Sequence, residues 1–135
     1  MPTDNVLKLY SKTIQSSYLH YGFWDDPEKV DLGSLTLNDI KNAQLRYIDH
    51  LSSFIPKDTK TILDVGCGDG SLMDLLRKKK NIEVRGLELD QSNVQQCIHK
   101  GLPVIQGNAE TELHQFPNQS FDFVVLSQTL QAFYN

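Results

Sequence analysis

Three short segments carry residue types whose spacing could do chemistry. The first is Asp64-Val65-Gly66-Cys67-Gly68-Asp69-Gly70. Its glycines permit positive φ and let main chain approach a ligand without Cβ contact. A helix starting after it would offer free N–H groups to a carboxylate or phosphate. The spacing is G-x-G-x-G with an acid two residues before the first glycine, not the G-x-G-x-x-G of a dinucleotide fingerprint. The same residues also suit a plain tight turn. The second is Glu88, 18 residues after Gly70. A carboxylate at a strand end can accept both hydroxyls of a ribose, or it can be an ordinary solvated acid. The third is Gly107-Asn108-Ala109-Glu110. A side-chain amide beside free main-chain groups can read an adenine edge, or simply complete a turn. Cys67 invites a nucleophile reading, but no base is identifiable beside it, and a cysteine in a glycine loop suits a tight turn.

These segments must be positioned by secondary structure, and the apolar pattern supplies it. TILDV at 61–65 reads as a short strand running into the glycine turn. SLMDLLRKKK reads as a helix burying Leu72, Leu75 and Leu76, with cations in its last turn that complement the negative helix end. EVRGLEL is a second strand, followed by a helix carrying Val94, Cys97 and Ile98, capped by Asp90 or Ser92 and ended by Gly101. PVIQ is a third strand, followed by a mostly polar stretch to Gln119. FDFVVL is a fourth, apolar through its middle as in a strand covered on both faces. Strands alternating with helices imply an α/β doubly wound parallel sheet with right-handed crossovers. In such a sheet ligands lie beyond the carboxyl ends of the strands, where all three segments fall. Upstream, residues 5–21 and about 38–53 have helical periodicity, the second stopped by Pro56. GFWDDPEKVDLGS between them reads as an ordered loop.

Composition bounds the answer. The 135 residues support one structural domain with a real core. A net charge of −4 argues against nucleic acid held through phosphates, and Arg77-Lys78-Lys79-Lys80 is a short basic run. No apolar run reaches the ~18 residues of a membrane span, and no signal peptide is visible at MPTDNVLKLY. Cys67 and Cys97 form no CxxC pair, and the four histidines have no metal-ligand spacing, so neither a disulfide framework nor a zinc site is expected. A reducing, cytoplasmic setting fits.

Taken together, these motifs resemble the S-adenosylmethionine site of class I methyltransferases over about residues 60–130. The resemblance implies a Rossmann-like sheet with strand order 3-2-1-4. The Gly66, Cys67, Gly68 and Gly70 loop would hold the methionine moiety, with Asp64 reaching its amino group directly or through water. Glu88 would hold the ribose and Asn108 with Ala109 the adenine, and Leu89 and Ser127 would also belong to the cofactor site. The family usually has Asp where Asn108 stands, which implies altered affinity without loss of binding.

Further along, NVQQCIHKGLPVIQGNAE, FPNQSFDFVVLSQTLQA and LDVGCGDGSL look like methionine biosynthesis proteins of the MetW family. These are methyltransferase-like proteins linked to homoserine acylation, which implies a homoserine acyltransferase partner. Leu19-His20-Tyr21-Gly22-Phe23-Trp24 instead resembles the entry segment of methyltransferases acting on lipids and other small molecules, whose aromatic residues cover the cofactor.

The chain then divides into a helical cap or lid at 1–56 and an S-adenosylmethionine-binding half-domain at 57–135. A sulfonium is already a good methyl donor, so the task is in-line positioning of a small-molecule acceptor with water excluded. Tyr21, His20 and Gln128 are the candidates near the methyl, although Tyr21 would also serve in a core and His20 at a helix end. Class I methyltransferases generally continue with three more strands where this sequence stops. That suggests either a truncated product or a homodimer paired through an exposed fourth strand. A nicotinamide-dependent oxidoreductase is the third reading, disfavoured by the glycine spacing.

Overall fold

The computed structural model describes residues 22–31 and 33–127. The expected helix at 5–21 and the candidates His20, Tyr21 and Gln128 lie outside the described residues. Two compact units are present, Met1–Phe54 and Ile55–Asn135.

The first unit is built on helix α1, Leu37–Ser53. Thr36 starts it with a capping box: its hydroxyl accepts from the Asp39 amide, and the Asp39 carboxylate accepts from the Thr36 amide. Gln44, Ile48 and Ser52 are buried along one i, i+4 stripe with Ala43 beside it, while Leu37 at the first position stays exposed. Among the described residues before α1 there is a 3₁₀ turn at Pro27–Lys29. These residues are tied to the helix where the Phe23 amide donates to the Ala43 carbonyl (2.8 Å) and Arg46 Nε donates to the Phe23 carbonyl (3.3 Å). His50 stacks on Phe23 (centroids 4.3 Å apart) and meets Phe54 edge-on.

In the second unit, strand β1 (Thr61–Val65) leads to helix α2 (Ser71–Lys80), and β2 (Glu83–Glu88) to α3 (Gln91–His99). Strand β3 (Val104–Gln106) is followed by a short helix α4 (Ala109–Glu112), a 3₁₀ turn and β4 (Phe123–Val125). All pairings are parallel, and the order is β3-β2-β1-β4, as the family resemblance implies. The first three strands step in one direction, so right-handed crossovers place α2 and α3 on the same face. Gly86 faces α2: a Cβ there would lie 2.6 Å from Cys67 Sγ and 2.7 Å from Met73 Sδ. Its neighbours in register are Asp64 and, one strand further, Val125, so these turn toward the helices as well.

The core centres on β1, where Ile62, Leu63 and Val65 are all buried, and on Met73, Leu76, Val84, Leu87 and Cys97. Met73 takes the fully buried place, Leu75 is only half-buried, and Ile98 is exposed. Asp90 caps α3 by accepting from the Asn93 amide, and Ser92 donates its hydroxyl to that same carboxylate. The polar stretch after β3 is not irregular throughout, because Asn108 starts α4 by accepting the Glu110 amide.

The reading of β4 as covered on both faces is corrected. Val125 is buried, but Val124, pointing the other way, is 47% exposed, and Leu126 is 37% exposed. An apolar edge strand with one wet face has the same composition as a central strand, and only the register separates them. That register is set at the strand's start. The Asp122 carboxylate accepts from the Lys60 and Thr61 amides, and the Asp122 amide donates to Thr61 Oγ1. The hydrogen bond from Lys60, then that from Thr61, holds the Asp122 carboxyl below its usual range.

Candidate functional site

Because every strand is parallel, Val65, Glu88, Gln106 and Val125 end at one edge of the sheet. The turns that follow bring Asp64, Gly66–Gly70, Glu88, Leu89, Asn108, Ala109 and Ser127 to that edge. Two consecutive residues at the end of β2 tie them together. The Leu87 carbonyl accepts from the Gly66 amide (2.7 Å) and the Cys67 amide (3.3 Å). The Glu88 carbonyl accepts from the Gly107 amide (3.0 Å). The Glu88 carboxylate accepts from the Gly68 amide (2.7 Å) through one oxygen and from the Asp90 amide (2.9 Å) through the other. Thus the turns after β1 and β3, together with the start of α3, all hang on Leu87–Glu88.

The helix after the glycine loop was expected to offer free amides to an anion; in the loop itself and at the first helical position, the amides of Gly66, Cys67, Gly68, Gly70 and Ser71 are taken by protein acceptors. Gly70 donates to the Cys67 carbonyl and Ser71 to Asp69 Oδ1. The reason is geometric: a parallel ladder carried one residue past the strand spends its amides on the neighbouring strand. The positive φ values of Gly66 (70°), Gly68 (57°) and Gly70 (79°) give the loop its tight path. What faces a ligand is then chiefly carboxylate.

Asp64 is 2% exposed, and its carboxylate accepts no hydrogen bond among the described residues. Burial, with the Glu88 charge second, pushes its pKa up to about 7. A buried acid beside a second acid, with no partner of its own, is a place where a cation would be stabilised. The Glu88 carboxylate uses one acceptor position on each oxygen for main-chain amides, so of the roughly four lone-pair positions a carboxylate has, two are left for hydroxyl donors.

On the β3 side, Asn108 Oδ1 accepts from the Glu110 amide (2.9 Å), and Glu112 folds back to accept the Asn108 amide. The Ala109 amide, at the first position of α4, has no acceptor among the described residues. Leu89 is 66% exposed, an apolar surface directly after Glu88. Ser127 is half-buried two residues beyond β4. Sequence reasoning missed Asp90, whose amide holds Glu88, and Glu112, which orders the Asn108 turn. An i, i+2 acid pair after a strand is the only signal for the first, and the i, i+4 spacing to Asn108 for the second. Among the described residues no group of three or more His, Cys, Asp or Glu could hold a metal ion, and no helix is long and apolar enough to cross a membrane.

Comparison with known proteins gives a consistent result. The family described as methionine biosynthesis protein MetW matches residues 44–135. The bifunctional methionine biosynthesis protein MetXA/MetW of Rhodopirellula baltica is 31% identical over 83 residues, covering 56% of this chain and 13% of that protein. The 27-O-demethylrifamycin SV methyltransferase of Amycolatopsis mediterranei is 26% identical over 119 residues, covering 83% and 40%. Among solved structures, a SAM dependent methyltransferase from Archaeoglobus fulgidus aligns with a TM-score of 0.56 at 22% identity, over 89% of this chain and 42% of that one. The [4+2]-cyclase SpnF aligns at 0.64 and 18% identity, over 90% and 47%. The chain therefore spans less than half the length of each of these proteins. The structural likeness establishes a Rossmann-like methyltransferase fold, and SpnF illustrates that one fold can carry other chemistry.

Proposed function

This chain belongs to the MetW family of methionine biosynthesis proteins, and from that premise we propose that the carboxyl edge of its sheet binds S-adenosylmethionine for methyl transfer to a small-molecule acceptor. The observation that carries the reading is the meeting of Gly68 and Glu88 at 2.7 Å, with Asp64, whose carboxylate accepts no hydrogen bond among the described residues, beside them. In this assignment Asp64 takes the ligand's ammonium group and Gly66, Cys67, Gly68 and Gly70 line the methionine chain. Glu88 accepts the ribose hydroxyls through its two remaining positions. Leu89 covers one face of the adenine, while the Ala109 amide and Asn108 side chain read its edge. Ser127 closes the β4 side.

A bound sulfonium supplies a methyl group already activated for displacement. The protein's part is to hold the donor, orient the acceptor and exclude water. Acidic groups suit a ligand that carries both a sulfonium and an ammonium, and the occupied loop amides disfavour a pyrophosphate, hence a nicotinamide dinucleotide. Tyr21, His20 and Gln128 are our candidates for groups near the methyl.

Calorimetric titration tests this directly. S-adenosylmethionine should bind and NADH should not. Glu88→Ala should weaken the binding by about 1–3 kcal/mol, the scale for leaving polar groups unpaired. An unchanged dissociation constant removes Glu88 from the site.

A second reading is supported by the relative in which MetXA and MetW share one chain: a cofactor-binding accessory protein that modulates a homoserine acyltransferase. Transfer of labelled methyl from S-adenosylmethionine into cell extract favours the enzyme. Binding without turnover, with an acyltransferase co-purifying, favours the accessory.

A further inference from the structure

Cys67 enters the site described above only as part of its glycine loop and Cys97 not at all, yet both thiols converge on one atom of that loop. Cys67 lies in the glycine loop and Cys97 on the inner face of α3, and both are buried and unbridged. Each thiol is directed at one atom, the Gly68 carbonyl oxygen, at 3.4 Å from Cys97 Sγ and 3.9 Å from Cys67 Sγ. The shared oxygen makes the two thiols neighbours, and they interact electrostatically with one another. Two glycines make the room. A Cβ at Gly70 would stand 2.9 Å from Cys97 Sγ, and one at Gly86 2.6 Å from Cys67 Sγ. Lys100 fastens the same corner, its ammonium donating to the Asp69 carbonyl (2.8 Å) and carboxylate (3.3 Å).

We propose that Cys67 and Cys97 form a dithiol oxidation site that a hydroperoxide converts to an intrachain disulfide, cross-linking the glycine loop to α3. One sulfur, as thiolate, attacks the outer peroxide oxygen. The O–O bond breaks, an alcohol or water leaves with a proton, and a sulfenic acid forms. The second sulfur then attacks the first, the S–O bond breaks, and water departs with the second thiol's proton. The pair loses two electrons and two hydrogens, and the peroxide is reduced to alcohol and water.

The cross-link pulls both sulfurs off the Gly68 carbonyl. Gly68 also carries, on its preceding peptide group, the N–H bound to Glu88, so the turn that orders Glu88 shifts with it. Resting on the cofactor assignment above, the consequence is weaker binding of S-adenosylmethionine in the oxidised form.

The test treats the full chain with hydrogen peroxide, digests it without reductant and maps the peptides. A linked pair containing Cys67 and Cys97, lighter by two hydrogens and released by dithiothreitol, is the expected result. Cys67→Ser and Cys97→Ser should each abolish it. Free thiols, sulfinate on one cysteine or a disulfide between two chains would overturn the proposal, and this readout on the unmodified sequence needs neither variant to fold nor any cofactor. Calorimetry on the two forms should show at least a tenfold loss of S-adenosylmethionine affinity on oxidation. Equal affinity overturns the switching consequence. A reduced protein that does not bind S-adenosylmethionine overturns the cofactor assignment, while the peptide map still decides the disulfide.

Discussion

The centre of the sheet and its two flanks are built differently. At the centre, β1 and β2 pair over five residues, and Ile62, Val65 and Leu87 are essentially solvent-free. The loops that leave them are bonded to each other through Leu87 and Glu88. At the flanks, β3 and β4 are three-residue strands, with Ile105, Val124 and Leu126 exposed. The central pair therefore supplies rigidity where the acidic site sits, and the flanks add residues to the site without adding much core.

Truncation experiments should sharpen this contrast. Ile62→Ala, which empties a fully buried place between neighbours, is expected to cost about 2–5 kcal/mol in urea unfolding, the range for such cavities. A loss under 1 kcal/mol would break the claim that β1 is the structural centre.

Asp64 gives the next largest effect, through pH. Its folded pKa of about 7 stands above the ordinary aspartate value of 3.8, so the folded state holds this proton more tightly than the unfolded chain does. Stability contributed by that proton is complete below pH ~4 and declines as pH rises, being gone above pH ~7. Asp64→Asn, which cannot ionise, should match the wild type at pH 4 and exceed it by up to ~4 kcal/mol at pH 8. Identical pH profiles in thermal melts would show that Asp64 is not a buried, unpartnered acid. The same proton must leave for Asp64 to hold an ammonium group, so S-adenosylmethionine affinity should rise between pH 6 and pH 8 in the wild type and not in the variant.

Gly86→Val should cost about 1–3 kcal/mol, because its side chain would drive into Cys67 and Met73. Val124→Ser, on the wet face of β4, should stay within about 0.5 kcal/mol. A larger loss there would mean that Val124 is covered in solution, as pairing of β4 with a second copy would require. Sedimentation of the two proteins separates that case from a purely internal contact.

Much of this was legible in the sequence because it rests on local rules. The strand TILDV, the helix Ser71–Lys80 and the cap at Asp90 follow from periodicity and hydrogen-bonding chemistry within a few residues. The strand order did not follow from such rules; it was implied by the resemblance of the motifs to class I methyltransferases. Other features depend on residues distant in the chain. Nothing near Gly68 says that its amide will be spent on a carboxylate 20 residues later. Nothing in FVV separates a covered strand from an edge.

The sequence by itself determined which residues stand at the carboxyl ends of the strands, because strand direction and turn chemistry are local. Only the tertiary structure decided what those residues have left to offer a ligand. That remainder depends on which amides, carboxylates and thiols the fold has already paired, and pairing is set by neighbours in space. In this protein it occupied most of the glycine-loop amides beside an acidic edge, and placed Cys67 and Cys97 on one carbonyl.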